Sequence, residues 1–179
     1  MKKWFTLSAI AQDRPGMVAD LAEFIYECNC NLEDSSMSQL GSQFAVLLLL
    51  SSTSEEAGSR LSAGAKRLEW EKQFTVFIRT LEREPMRSKP YGVTSYRVET
   101  SGLDKAGIVA RVARVLAQQD ASICDMTTEV LPAVQSGTPV YHMSMEVDVP
   151  NRVSEATLRR LLEEVAASLQ IEVILKRKT

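Results

Sequence analysis

Few residues in this chain have the type and spacing to do chemistry. Cys28-x-Cys30 is a thiol pair. It meets no second pair and no partner histidine, so the spacing points to a buried or half-buried pair rather than a metal site. His142 is the single histidine and falls on the polar side of an alternating stretch, as a solvated strand residue would. Asp34 and Asp125 recur at equivalent places in two halves of the chain, which suits a cap or a backbone bond better than a pair of acid catalysts. No P-loop, dinucleotide fingerprint, nucleophile elbow or zinc-protease motif is present. The remaining candidate is Asp13-Arg14-Pro15-Gly16-Met17-Val18. Free N–H groups at the start of a helix, with the helix dipole behind them, bind anions. A glycine there lets a small molecule approach the backbone.

Those six residues need a strand before them and a helix after them. Trp4 to Ala11 reads as a strand. Val18, Leu21, Ala22 and Ile25 recur at the spacing of one buried helix face. Asp13 is the expected N-cap, and Pro15 suits the first helical turn. Met17 to about Cys28 is then the first helix. Asn31 to Leu40 is polar and rich in serine, as an edge strand would be. Phe44 to Leu50 has no alternation and predicts a central strand buried on both faces. Ser54 to Lys72, capped by Ser54, predicts a second helix, and Phe74 to Leu81 a fourth strand. The order is β-α-β-β-α-β.

Glu82 to Gly92 holds Pro85, Pro90 and Gly92 among charges and predicts a linker over residues 85–92. The pattern then begins again. At an offset of 91, Asp13 falls on Asp104, Gly16 on Gly107, Val18 on Val109, Leu32 on Ile123 and Asp34 on Asp125. Val109, Val112, Ala113 and Leu116 form a helix face, and Ile123 to Leu131 a second extended stretch. Ser136-Gly137-Thr138-Pro139 reads as a hairpin signal. Met143, Met145, Val147 and Val149 alternate with His142, Ser144, Glu146 and Asp148, a strand with one wet face. Ser154 to Leu169 is an amphipathic helix, and Ile171 to Leu175 a last strand. The expected fold class is α+β: two tandem ferredoxin-like (βαββαβ) domains with antiparallel sheets, residues 1–84 and 93–179. Strands one and three are central in each, and the two sheets are expected to associate.

Composition sets further bounds. The chain has 179 residues, 45% apolar and 25% charged, which is ordinary for a globular protein. Each half carries a net charge of −1, so neither presents a basic nucleic-acid face, and no helix-turn-helix pattern appears. Lys176-Arg177-Lys178 reads as a solvated strand end. Three cysteines without a secretory leader fit a reducing cytoplasm. No apolar run approaches the ~18 residues of a membrane span.

The Asp-Arg-Pro-Gly-Met-Val turn, together with Cys28-Asn29-Cys30-Asn31-Leu32-Glu33-Asp34-Ser35 entering the second strand, resembles the ACT domain, a family of small regulatory modules that bind amino acids. Two such modules in tandem resemble the glycine cleavage system transcriptional repressor family. Formyltetrahydrofolate deformylases start with a similar module and continue into a catalytic domain not found in these 179 residues. The resemblance implies a regulatory protein, not an enzyme, without a cofactor or a metal. It implies an amino-acid site at Asp13, Arg14, Pro15, Gly16, Met17, Val18, Asn31 and Leu32, formed between two modules. Asp104, Gly107, Ile108, Val109 and Ser122 make a weaker second copy, since Ala106 replaces Pro15 and Ser122 replaces Asn31. Expected partners are a small amino acid, glycine or serine first, and a protein such as a DNA-binding transcription regulator. Direct nucleic-acid and membrane contacts are not expected; a homo-oligomer is possible. The alternative is a ligand-free module that pairs through its sheet edges.

Overall fold

A computed structural model describes residues 1–85, 91–132 and 139–178. The chain divides into two compact units, Met1–Arg87 and Ser88–Thr179. The first contains β1 (Lys3–Gln12), α1 (Met17–Glu27), β2 (Asn31–Leu40), β3 (Gln43–Ser52), α2 (Ala57–Lys72) and β4 (Thr75–Leu81). The second contains β5 (Val93–Leu103), α3 (Ile108–Gln118), β6 (Ser122–Pro132), β7 (Pro139–Pro150), α4 (Glu155–Leu169) and β8 (Ile171–Arg177). Each sheet is antiparallel, with orders β2-β3-β1-β4 and β6-β7-β5-β8. This is the tandem ferredoxin-like α+β fold, with the first and third strands central. The linker expected over residues 85–92 falls largely on 86–90, and the Ser136–Pro139 hairpin signal on 136–138. Both lie outside the described residues.

Each core lies between one sheet face and its two helices. In the first unit the odd residues of β1, Phe5, Leu7, Ala9 and Ala11, meet Met17, Leu21, Phe24 and Ile25 of α1 and Leu61, Ala65 and Leu68 of α2. Burial repeats at two residues along the strand and at three or four along the helices, as their periods require. Gly64 on α2 gives Phe24 its place: a Cβ there would lie 2.4 Å from the ring. In the second unit Tyr96, Val98, Met143, Met145 and Val147 pack against Ile108, Val112, Leu116, Leu158 and Leu162. Each fully buried Leu, Ile, Val, Phe or Met side chain among them contributes about 1.5–3 kcal/mol.

Three local expectations are corrected. β3 is central but not buried on both faces. Leu47 is 55% exposed, because both helices cover the opposite face of the sheet and leave this one open. Ser54 is not the N-cap of α2. Glu56 holds that position, and Ser54 Oγ accepts from the Glu56 N–H at 3.3 Å in the turn ahead of it. Asp148 lies on the wet side of β7 yet is buried, with Ser95 Oγ donating to its Oδ1 at 2.5 Å. The polar β2 does form an edge, and Asp34 accepts a backbone bond from Ser35 N–H at 2.8 Å. Among the described residues no helix is long and apolar enough to cross a membrane.

Candidate functional site

The turn between β1 and α1 is held at both ends. The Asp13 N–H donates to the Ser42 carbonyl at 2.8 Å, and Asp13 Oδ2 accepts from Gln39 Nε2 at 2.6 Å. Asp13 is thereby tied to the β2–β3 hairpin and does not cap the helix. Gly16 is the N-cap, with φ 91° and ψ −4°, a left-handed conformation that side chains disfavour. Pro15 sits in the turn ahead of the helix rather than in its first turn. The first helical hydrogen bond runs from Asp20 N–H to the Gly16 carbonyl at 2.9 Å, and no side chain caps the end. The N–H groups of Met17, Val18 and Ala19 therefore precede the helical ladder, at the positive end of the dipole. Met17 is buried and anchors the turn, while Val18 is exposed.

Charge is concentrated beside this turn. Asp20 Oδ2 accepts from Arg14 Nη2 at 2.6 Å, and Asp20 Oδ1 lies 3.1 Å from Lys72 Nζ. The Arg14 hydrogen bond, then that of Lys72, holds the Asp20 carboxyl below the usual carboxylate range. An open groove of about 500 Å3 runs alongside, lined by Ala11, Gln12, Asp13, Arg14, Glu71, Lys72 and Gln73. Its lining, next to the helix start in sequence at Asp13 and Arg14, carries the cations Arg14 and Lys72, both paired with Asp20, and the carboxylates Asp13 and Glu71. A small zwitterion has that charge pattern.

Asn31 and Leu32 lie at the other end of the sheet. Asn31 pairs with Ser51, which pairs with Trp4 near the start of β1, whereas the turn follows Gln12 at its end. Eight residues of strand separate them, roughly 25 Å. Helix α1, eleven residues and about 16 Å long, carries the chain back along β1 towards that far end. One module thus does not bring Gly16 and Asn31 together, and a ligand touching both takes them from two modules.

At the Asn31 end sits Glu33, which lies within the Cys28–Ser35 motif but outside the expected site residues. It is the extra residue of a β-bulge between Leu32 and Asp34. Its Oε1 accepts from Ser51 Oγ at 2.6 Å, Lys2 Nζ at 2.9 Å and Asn31 Nδ2 at 3.2 Å. Those bonds, Ser51's first, bring the Glu33 pKa down to about 2. Lys2 also lies over the Trp4 ring, 4.5 Å from its centroid.

The second unit keeps the turn and changes its surroundings. Gly107 has φ 93°, and the Arg111 N–H donates to its carbonyl at 3.0 Å. Asp104 is exposed, Ile108 buried, Val109 half-buried and Ser122 exposed. Arg111 stands where the first unit has Asp20. Lys105, at the place of Arg14, donates to the Leu169 carbonyl at 3.1 Å and to Gln170 Oε1 at 2.8 Å. Cys124 is the bulged residue matching Glu33, with Sγ 3.3 Å from Asp148 Oδ2. Ser122 is as far from Gly107 as Asn31 is from Gly16, for the same topological reason. Burial pushes the Cys28 thiol up to about 11 and raises Cys30. Among the described residues no group of three or more His, Cys, Asp or Glu is placed to hold a metal ion.

A family model described as the ACT domain matches residues 5–78. The glycine cleavage system transcriptional repressor of Escherichia coli (strain K12) is 20% identical over 169 residues, covering 94% of this chain and 87% of the repressor. A UPF0237 protein of Methanocaldococcus jannaschii is 34% identical over 80 residues, 44% of this chain and 82% of that protein. A crystal structure of a protein from Galdieria sulphuraria superimposes with a TM-score of 0.80 at 25% identity, covering 100% of both chains.

Proposed function

The chain belongs to the ACT-domain family, and on that premise we propose that it is a regulatory protein that senses a small amino acid, glycine or serine first, and acts through a protein partner. The observation that carries this reading is the turn at Gly16: an uncapped helix start beside an open, charge-lined groove. The ligand carboxylate lies over the N–H groups after Gly16, where the dipole favours it. Asn31 and Leu32 reach the same ligand only from a second module. The N-terminal module is the main site, because Pro15 stiffens its turn and lowers the ordering cost of binding.

The resemblance to a transcriptional repressor over most of the chain supports a role in controlling amino-acid metabolism. The charge of −1 on each half argues for a DNA-binding partner rather than direct contact with DNA. Isothermal titration against the twenty amino acids, followed by duplex DNA at low salt, tests both parts. Binding of one small amino acid and none of the DNA is expected. Tight, salt-dependent DNA binding would overturn the partner-mediated mechanism.

A second reading rests on the edges. β2 and β6, ten and eleven residues long, are exposed along almost their whole length, and each is the outer strand of its sheet. A partner strand pairs there without any ligand.

A further inference from the structure

Asp20 sits one helical turn after Gly16, on the same side of α1, at a place where folding does not require a carboxylate. In the second unit Arg111 holds the equivalent position, with its Nη1 donating to Ser168 Oγ at 3.4 Å. Gly107 keeps the left-handed conformation there, and Ile108, Val112 and Leu116 of α3 stay buried. An acid in one repeat and a base in the other leave both helices intact, so the choice of side chain answers to something other than the fold.

The partners of Asp20 say what it does. The Arg14 guanidinium spans the turn. Its Nη1 donates to the Pro15 carbonyl at 3.3 Å and lies 4.0 Å from the point that a Cβ on Gly16 would occupy. Its Nη2 donates to Asp20 Oδ2 at 2.6 Å. Lys72, in the last turn of α2, stands 3.1 Å from Asp20 Oδ1. Each carboxylate oxygen thus holds one cation, and the Asp20 side chain is only 15% exposed between them. Asp13 and Glu71 stand in the lining of the neighbouring groove. A molecule seated over Gly16 meets Arg14, and finds Arg14 and Lys72 already matched by a carboxylate of the protein's own.

We propose that Asp20 sets the specificity of the site at Gly16: it occupies the place that a second carboxylate of the ligand would take, and so admits small neutral amino acids and excludes acidic ones. The inference rests on the amino-acid reading given above. The two carboxylates of aspartate or glutamate need two anion sites, one over the N–H groups after Gly16 and one at Arg14 and Lys72. Glycine and serine need only the first. An acidic ligand has two ways to bind. It displaces Asp20, which then loses its charge-assisted bonds, or it leaves its own second carboxylate unpaired beside Asp20, Asp13 and Glu71. Both lower its affinity, and neither affects a neutral ligand. The discrimination comes from a like charge held in place rather than from the size of the opening.

Titration calorimetry of the full chain with glycine, serine, aspartate and glutamate tests this. The proteins are wild type, Asp20→Asn, Asp20→Ala and Asp20→Glu, each checked for native circular dichroism. Wild type prefers its neutral ligand to the acidic pair by about tenfold or more. Asp20→Asn and Asp20→Ala release Arg14 and Lys72, and either one raises affinity for aspartate or glutamate, relative to the neutral ligand, by about tenfold or more. Asp20→Glu keeps the charge and the wild-type preference. A wild type that binds aspartate or glutamate as tightly as glycine or serine overturns the proposal. So do neutral substitutions that keep the wild-type preference, and so does an Asp20→Glu that shifts it as far as they do. If wild type binds none of the four while Asp20→Asn or Asp20→Ala gains an acidic one, sensing of glycine or serine fails and exclusion by Asp20 stands. If none of the proteins binds any of the four, both fail.

Discussion

Lys105 Nζ lies 2.8 Å from Gln170 Oε1 and 3.1 Å from the Leu169 carbonyl, so the β5–α3 turn is strapped to the end of α4. The matching Arg14 turns instead to Asp20 and leaves the groove beside Gln73 open. Gln73 and Gln170 hold the same left-handed C-cap position, so the contrast lies in the side chains rather than the fold. Lys105→Met should lower the stability of the second unit by about 0.5–1.5 kcal/mol, through lost bonds at a helix C-terminus. It should leave amino-acid affinity unchanged. Urea denaturation reads the first outcome and calorimetry the second.

Gly64→Ala should destabilise the first unit. On an open helix face this change gains about 1 kcal/mol in helix propensity. Here the new Cβ would lie 2.4 Å from Cε2 of the buried Phe24 ring, so the ring or the helix has to move. Overpacking of this kind costs about 1–3 kcal/mol, and the net effect is a lower urea midpoint. An unchanged or higher midpoint would show that α1 and α2 pack less closely than described.

Glu33 gives the first unit an acid-sensitive contact. Its folded pKa, about 2, lies below that of the unfolded chain, so its contribution is fully present above about pH 4.5. It is lost as pH falls through the folded value. Glu33→Gln should flatten the part of the acid-unfolding curve that lies between those limits. Thermal melts of both proteins across that range check this; parallel curves would mean that Ser51, Lys2 and Asn31 do not hold the carboxylate in solution.

Much of the fold was legible because two periodicities and one repeat agreed. The offset of 91 predicted equal turns at Gly16 and Gly107, and their φ angles are 91° and 93°. The alternation from Met143 to Val149 predicted one buried face of β7, which holds except at Asp148. The run from Phe44 to Leu50 misled, because an apolar stretch does not say which face is covered, and Leu47 faces outward. Asp13 read as a cap because its type suits one. Its carboxylate is taken by Gln39, which follows it by 26 positions in sequence. The role of Glu33 was hidden for a similar reason: a bulge and contacts with Lys2 and Ser51 set it, and neither shows in local spacing. The distance from Gly16 to Asn31 follows from the path of α1, which a motif reading does not trace.

The measurement that bears most directly on amino-acid sensing is calorimetry on Gly16→Val and Gly107→Val side by side. Both glycines are left-handed, and a Cβ meets only Arg14 Nη1 at 4.0 Å in the first case and nothing within 4 Å in the second. Each substitution therefore carries a similar backbone strain, about 1–2 kcal/mol, and the pair is matched for stability. Wild type should bind glycine, serine or another small amino acid. Gly107→Val should keep that affinity to within about threefold, as an independent site would. Gly16→Val should abolish it, because the new side chain occupies the space over the Met17 and Val18 N–H groups. Loss of binding in Gly107→Val with retention in Gly16→Val would contradict the N-terminal site, and a wild type that binds none of the twenty amino acids would contradict sensing itself.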